Sequence, residues 1–262
     1  MTRSPFDEDA SRQLEAVYLT PDIVNQRRCT LQALALQKGE HVLDVGSGPG
    51  LLVADMARTV GPSGLVTGLD INTSMMRVAQ RRCEPIGGPV ALVQGDATAL
   101  PFPDETFDVA VSTQVYEYID DIAQALAEVY RILRPGGRIL IIDTDWDSIV
   151  WNAKDTALMQ RILDAWVERF ADAHLPGSLS RLLADSGFSL RRRDVLVLLN
   201  PEYDVNTYSL TNGRILAKFV VGRRCITQHD VDAWKSDLRQ LGSEGRYFFS
   251  LNRYLFVAEK PV

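Results

Sequence analysis

Three aspartates recur at even intervals in the first part of the chain. Asp44, Asp70 and Asp96 lie 26 residues apart, each at or just after the end of a short apolar segment. In a parallel α/β sheet this interval is one strand–helix–strand step, so the three carboxylates should line one edge of the sheet. Because a carboxylate accepts hydrogen bonds, Asp70 suits the paired hydroxyls of a ribose and Asp96 the exocyclic amine of an adenine. The Ala97 N–H would then meet a ring nitrogen of that base.

A glycine-rich turn follows the first of these acids. It consists of Gly46, Ser47, Gly48, Pro49 and Gly50, and Leu51 begins an amphipathic stretch. Because glycine has no Cβ atom, the backbone here can approach a ligand closely. In a dinucleotide-binding site, a third glycine would stand at the position of Leu51, and a main-chain N–H would face the phosphate at the position of Pro49, which has none. The GK[ST] sequence of a nucleotide-binding P-loop does not follow the turn either. The turn therefore favours an adenosine ligand that carries an ammonium group.

Alternating strand and helix patterns position these residues. Strands are predicted at 41–45, 65–70, 90–94, 107–112 and 138–143, with helices near 21–37, 51–60, 74–84 and from about 121. Strands that alternate with helices at this spacing predict βαβ units and a parallel sheet with right-handed crossovers. Later, a helix near 155–171 precedes strands at 188–198 and 247–258. The chain is thus predicted to be an α/β protein with a Rossmann-like, doubly wound sheet.

Two segments fall outside this alternation. We predict three parts, which are an N-terminal helical lid at 1–38, a ligand-binding domain formed by 39–200 and 246–262, and a small helical cap inserted at 201–245. Within the cap, Thr227 and Asp230 have the spacing of a capping box at the start of a helix. The insertion is too short for an independent domain, so we expect it to cover the ligand edge of the sheet.

Composition and charge narrow the class of partner. The 262 residues carry a net charge of -6 and are 46% hydrophobic and 24% charged, which is typical of globular proteins and unfavourable for general nucleic-acid binding. No apolar run reaches the ~18 residues needed to span a bilayer. The three cysteines, Cys29, Cys83 and Cys225, match no metal-binding pattern. We therefore expect a cytoplasmic monomer or homodimer that acts on a small molecule, without a nucleic-acid partner, a membrane partner or a bound metal.

Four motifs follow one another in the first half of the chain. They are VLDVGSGPG at 42–50, GLDIN at 68–72, QGDA with LPFP and FD between 94 and 108, and LRPGGR at 133–138. Together they resemble the class I S-adenosylmethionine-dependent methyltransferases of the ubiquinone/menaquinone-methyltransferase-like type. The resemblance covers about residues 40–145 and implies a seven-stranded sheet of order 3-2-1-4-5-7-6, with the last strand antiparallel.

The resemblance also implies a cofactor, S-adenosylmethionine, with S-adenosylhomocysteine as the product. Asp70 would hold the ribose, and Asp96 with Ala97 would hold the adenine. The methionine part would lie along Gly46, Gly48, Ser112 and Gln114. The remaining predicted cofactor contacts are Asp44, Ser47, Gly50, Ile71, Tyr18 and Arg27, the last two toward the ligand carboxylate.

The acceptor side has its own candidates. Many relatives place a histidine in the segment that matches 117–119, where this chain has Tyr118. Tyr118 and Asp145 are the candidate catalytic residues, and Trp146 and Tyr116 are candidate walls of the substrate pocket. We interpret the chain as a methyltransferase that acts on a small molecule by in-line displacement. The alternatives are a nicotinamide-dependent oxidoreductase and a non-catalytic protein that binds the cofactor.

Overall fold

One sheet organises the computed structural model, which describes residues 8–86 and 88–262; the first residues of the predicted lid lie outside this part. Its strands are β1 (His41–Val45), β2 (Leu65–Asp70), β3 (Val90–Gln94), β4 (Phe107–Thr113), β5 (Leu133–Thr144), β6 (Val150–Trp151), β7 (Ser189–Asn200) and β8 (Phe249–Glu259). The order is β3-β2-β1-β4-β5-β8-β7, and the two-residue β6 pairs with the start of β8. β1 to β5 are parallel, and β8 is antiparallel to β5 and β7. The predicted topology is confirmed, because β6 only shifts the strand numbers.

The helices lie between and after the strands. They are α1 (Glu8–Tyr18), α2 (Pro21–Leu34), α3 (Leu51–Val60), α4 (Thr73–Cys83), α5 (Ile122–Ile132), α6 (Thr156–Trp166), α7 (Pro176–Asp185), α8 (Tyr208–Val220) and α9 (Gln228–Ser243). The prediction that α2 continues to residue 37 is wrong, because Ala35 adopts a left-handed backbone with a φ of 47°. The helix predicted at 155–171 also ends early, at Trp166, where a 3₁₀ turn replaces it.

β5 begins five residues earlier than predicted. Leu133 already pairs with Phe107, and Arg138 then pairs with Val109. The residues between these two pairs on β5 bulge out of the ladder, which is possible because Gly136 has a φ of 77°. Residues 134–137 are therefore a bulge inside a strand, and α5 leads directly into β5.

Alternate residues of β1 show that helices cover both faces of the sheet. Val42 packs in a buried cluster with Leu52 of α3, whereas Leu43 packs in another cluster with Leu126 of α5. Since successive side chains of a strand point to opposite faces, the two clusters lie on opposite sides of the sheet. This arrangement confirms the doubly wound architecture and leaves the carboxyl ends of β1 to β5 along one edge.

A third buried cluster joins α6, α8 and α9. It is rich in aromatic side chains, and the Trp151 and Trp234 rings meet edge to face with centroids 5.2 Å apart. The predicted capping box begins α9, where Thr227 and Asp230 each accept a hydrogen bond from the other's main-chain N–H. No helix in the described part of the chain is long and apolar enough to cross a membrane.

Candidate active site

The glycine turn lies at the carboxyl end of β1, and its conformation requires glycine. Gly46 and Gly48 have φ angles of 72° and 52°, in the left-handed region that side chains with a Cβ disfavour. A Cβ atom on Gly46 would lie 2.2 Å from Cγ2 of Val115. The turn therefore packs directly against the segment that follows β4.

Asp70 ends β2 and is held beside this turn. Its Oδ2 accepts a hydrogen bond from the Gly48 N–H, and its Oδ1 accepts one from the Asn72 N–H, each at 2.8 Å. Burial raises the pKa of Asp70, and these two hydrogen bonds oppose the rise. Burial, with a smaller contribution from the charge of Asp70, also raises the pKa of the neighbouring Asp44 well above its usual range. The structure thus brings two of the three predicted acids together at the turn.

Asp96 follows β3 at the exposed rim of the same edge. Its Oδ1 accepts hydrogen bonds from the Thr98 N–H and hydroxyl, both at 2.8 Å, and Ala97 beside it is buried. Ile71 is 67% exposed although its side chain is apolar. This rim therefore offers hydrogen-bond acceptors next to an uncovered apolar side chain.

A narrow cavity separates the glycine turn from the two N-terminal helices. Its walls are Tyr18, Ile23, Gln26, Arg27, Thr30, Asp44, Gly46, Ser47, Gly48, Pro49, Leu51, Leu52, Thr113 and Gln114. The Tyr18 ring lies over the turn, with Cε2 3.8 Å from the position of a Gly48 Cβ. Arg27 pairs with Asp55 through a 3.0 Å contact and donates to the Tyr18 carbonyl at 3.3 Å. α1 and α2 therefore form the outer wall of the cavity.

Two buried hydroxyls lie near the inner wall. The Oγ atoms of Ser47 and Ser112 have no hydrogen-bond partner in the described part of the chain. Gln114 adopts a left-handed φ of 58°, and its Nε2 donates to Thr144 Oγ1 at 3.1 Å. Buried polar atoms without partners are uncommon in proteins, so they mark a place where a ligand could supply the missing hydrogen bonds.

Known methyltransferases are similar to this chain in sequence. A family model described as a methyltransferase domain matches residues 43–141. A demethylmenaquinone methyltransferase from Listeria welshimeri is 32% identical over 185 residues, which are 64% of this chain and 78% of that protein. The chain belongs to the class I S-adenosylmethionine-dependent methyltransferases. This membership confirms the predicted enzyme class and cofactor, and it favours them over the nicotinamide-dependent alternative.

Other relatives of this methyltransferase match over shorter lengths. A ubiquinone/menaquinone biosynthesis C-methyltransferase from Pasteurella multocida is 41% identical over 119 residues, 45% of this chain and 44% of that protein. The chain spans about half the length, 44% to 53%, of the first curated relatives that it matches. A solved structure of phosphoethanolamine N-methyltransferase 2 from Haemonchus contortus, in complex with S-adenosyl-L-methionine, has a TM-score of 0.64 at 21% identity, over 99% of this chain and 59% of that chain. This likeness shows a shared fold.

The groups around the cavity fit the chemistry of S-adenosylmethionine. Asp70 keeps free acceptor capacity for hydroxyl groups beside the two N–H donors that hold it. Asp44 is an acid at the inner wall, where an ammonium group would be complementary. The unpartnered Ser47 hydroxyl adds a polar group to the same wall. The cavity therefore presents polar groups of the right kinds for the ribose hydroxyls and for the ammonium group of the cofactor.

The predicted acceptor residues do not form one group in the methyltransferase. Tyr116 is completely buried in the core between the sheet and α5. Trp146 stacks on Phe170 with centroids 4.8 Å apart. Asp145 lies half-buried and its Oδ1 is 3.1 Å from His174 Nδ1. Burial raises the pKa of Tyr118, which disfavours the phenolate that a general base would require. The catalytic roles of Asp145 and Tyr118 stay predictions.

A buried charged cluster on this side was missed from the sequence. Glu117, Asp143 and Arg253 are each 4% exposed or less. Glu117 Oε2 accepts a hydrogen bond from Trp146 Nε1 at 3.2 Å, and the Arg253 guanidinium donates to the side chain of Gln26. Since Gln26 lines the cavity, the cluster adjoins that cavity.

The sequence does contain a signal for this cluster. Leu251, Arg253 and Leu255 alternate with less buried residues along β8, so the strand period alone places the arginine on an inward face. Asp143 likewise ends β5 in the same way that Asp44 ends β1. An inward arginine and a further acid at the ligand edge together predict a buried polar site.

Proposed function

We propose that this methyltransferase transfers the methyl group of S-adenosylmethionine to a small-molecule acceptor by in-line displacement. The observation that carries the proposal is the burial of the acceptor side. Tyr208 of α8 is buried, and Tyr18 of α1 and Tyr118 after β4 are partly buried and pack against the same aromatic cluster. Burial raises the pKa of each of these hydroxyls, that of Tyr18 to about 12. Aromatic packing of this kind beside the cavity favours a small-molecule acceptor over a polymer surface.

The cofactor roles follow from the position of each group along the edge of the sheet. Asp70 would hold the ribose hydroxyls, and Asp96 with Ala97 would hold the adenine, whose face the exposed Ile71 would cover. The buried side chains of Asp44, Ser47 and Ser112 would contact the methionine part. Gly46, Gly48 and Gly50 keep the backbone free of Cβ atoms there. Tyr18, Arg27 and Gln114 would complete the contacts to the methionine end.

When bound, S-adenosylmethionine supplies a methyl group on a sulfonium sulfur. The protein's task is to align the acceptor with that methyl group and to keep water away. The aromatic walls from α1, α8 and the segment after β4 serve both purposes, because they shape the site and are already packed in the described structure. The cap predicted at 201–245 contains α8 and α9, and it would cover the acceptor side of the site.

Titration calorimetry with S-adenosylhomocysteine tests the cofactor part. We expect binding to the wild type and a loss of about 100-fold for Asp70→Ala, since two charge-assisted hydrogen bonds to the ribose are removed. Asp104→Ala is the matched control, because Asp104 lies at the surface and pairs with Arg131. No binding to the wild type, or equal binding by wild type and Asp70→Ala, would contradict the proposal.

Release of S-adenosylhomocysteine from S-adenosylmethionine in the presence of an acceptor panel tests the transfer part. Turnover with small hydroxyl, amine or activated-carbon acceptors supports the proposal. Cofactor binding without turnover over a broad panel would instead support the non-catalytic alternative.

A further inference from the structure

Arg253 is a buried cation with an unused hydrogen-bond donor. It is 4% exposed on β8, and its Nε has no hydrogen-bond partner in the described part of the chain. Its guanidinium lies 4.8 Å from the centroid of the Tyr208 ring and donates to Gln26 at the cofactor cavity. A buried guanidinium normally has its donors satisfied, because each unmet donor is unfavourable. The unused Nε therefore indicates a site for an acceptor of hydrogen bonds.

A second guanidinium approaches the same place from another segment. Arg169 follows α6 and lies over the rings of Trp166 and Tyr118, at 5.3 and 5.8 Å from their centroids. Both arginines lower the pKa of Tyr18 and of Glu117 through their charges, although burial outweighs them at each group. Because the same two residues lie within range of both guanidiniums, the two cations converge beside the cofactor cavity.

Burial acts against the charged forms of the acids near these cations. It raises the pKa of Glu117 to about 7 and also raises the pKa of Asp143. The guanidiniums of Arg253 and Arg169, in contrast, stay protonated at neutral pH. Because Arg253 is buried and its Nε donor is unmet, a bound anion would be complementary to it.

We propose that the methyl acceptor is a small acid whose carboxylate binds to Arg253 and Arg169, with its apolar body between Tyr18, Tyr118 and Tyr208. This inference rests on the proposed function, because it places the acceptor beside the cofactor cavity. A carboxylate accepts two parallel hydrogen bonds from a guanidinium, which the unused Nε of Arg253 allows. The aromatic rings of these three residues favour a planar or apolar body over a sugar.

The test compares acids with their methyl esters. A panel of hydroxybenzoic, hydroxycinnamic and hydroxyphenylacetic acids and the corresponding esters is titrated by calorimetry into protein saturated with S-adenosylhomocysteine. We expect at least one acid to bind the wild type about tenfold or more tightly than its ester, as loss of a charge-assisted hydrogen bond predicts. Arg253→Gln should remove this preference, and Arg253→Lys should restore part of it.

Matched variants separate the possible failures. Arg193→Gln, on the exposed part of β7, should keep the preference for the acid. Arg169→Gln replaces Arg253→Gln if the latter does not fold, and it should also weaken the acid more than the ester. Equal binding of acids and esters, no binding by either, or an acid preference that survives in every folded variant would overturn the inference. Failure of the proposed function would appear separately, as loss of S-adenosylhomocysteine binding by the wild type.

Discussion

The cofactor side and the acceptor side of this methyltransferase are built in different ways. On the cofactor side, one short turn and the ends of three consecutive strands supply the groups that we propose to bind the cofactor, and Asp70 is held by the N–H groups of Gly48 and Asn72. On the acceptor side, Gln26, Glu117 and Arg253 come from three distant segments and meet only in the folded protein. The first side is therefore specified locally by the backbone, and the second is specified by tertiary packing.

The largest effect is expected when the glycine turn on the cofactor side is disrupted at Gly46. The Gly46→Ala variant would place a Cβ 2.2 Å from Val115 at a positive φ. We expect the free energy of unfolding to fall by about 3 kcal/mol or more, because backbone strain and overpacking act together, and we expect S-adenosylhomocysteine binding to be lost. Urea unfolding and titration calorimetry measure the two effects.

Gly61→Ala is the control for backbone strain alone. Gly61 has a similar φ of 69°, but a Cβ there would meet nothing within 4 Å. We expect a destabilisation of about 1–2 kcal/mol with unchanged cofactor binding. Equal effects of the two variants would show that close approach at the turn is unimportant.

On the acceptor side, the buried Glu117 should make the free energy of unfolding depend on pH. Burial raises the pKa of Glu117 from 4.5 to about 7, so the native state binds more protons than the unfolded state between these values. Stability should then fall as the pH rises through this window, by about 3 kcal/mol from Glu117 alone. Asp143 has a raised pKa as well, and the charges of Arg253 and Arg169 act in the opposite direction.

The Glu117→Gln variant isolates this contribution. We expect its free energy of unfolding to fall less than that of the wild type between pH 5 and pH 7.5. Glu84→Gln, at an exposed position, should keep the wild-type slope. Parallel slopes for wild type and Glu117→Gln in urea titrations would show that the carboxyl is not enclosed as described.

A smaller effect tests whether the cap and the cofactor side are energetically separate. In Thr227→Ala the first turn of α9 loses its capping box, and we expect a destabilisation of about 1 kcal/mol. Binding of S-adenosylhomocysteine should stay within the error of calorimetry, because α9 does not line the cofactor cavity. A large loss of cofactor affinity in this variant would show that the two sides are coupled.

The smallest effect is expected at His174. The hydrogen bond that His174 Nδ1–H donates to the Asp145 carboxylate raises the pKa of this histidine, whose side chain is 51% exposed. The pair contributes stability below the ordinary histidine pKa and loses it as the pH rises through the raised value. Allowing for solvent screening, His174→Gln should change stability by no more than about 0.5 kcal/mol. A change of several kcal/mol at pH 5.5 in thermal melts would assign Asp145 a much larger role.

The cofactor side could be predicted from the sequence to a larger extent than the acceptor side. Asp44, Asp70, Gly46 and Gly48 could be placed at one edge, because strand ends and a glycine turn are encoded within a few residues. The topology also followed from the alternation of strands and helices. The predicted end of α2 and the predicted start of β5 were wrong, because both depend on left-handed residues, Ala35 and Gly136, whose conformation the local pattern does not determine.

The acceptor side could not be predicted in the same way. Tyr116 was expected in the substrate pocket, yet the structure buries it in the core. Glu117, the next residue, instead accepts the hydrogen bond from Trp146. Neighbouring residues of a short 3₁₀ turn point in different directions, so their environments depend on which helices pack around them. Such roles require knowledge of the tertiary contacts.

A crystal structure of the wild-type protein with S-adenosylhomocysteine tests the central claim most directly. The account predicts that the ribose hydroxyls bind Asp70, that the amino-acid part lies along Gly46 and Gly48, and that the sulfur faces the space bordered by Tyr18 and Arg253. A cofactor bound elsewhere, or a sulfur directed away from that space, would contradict the account.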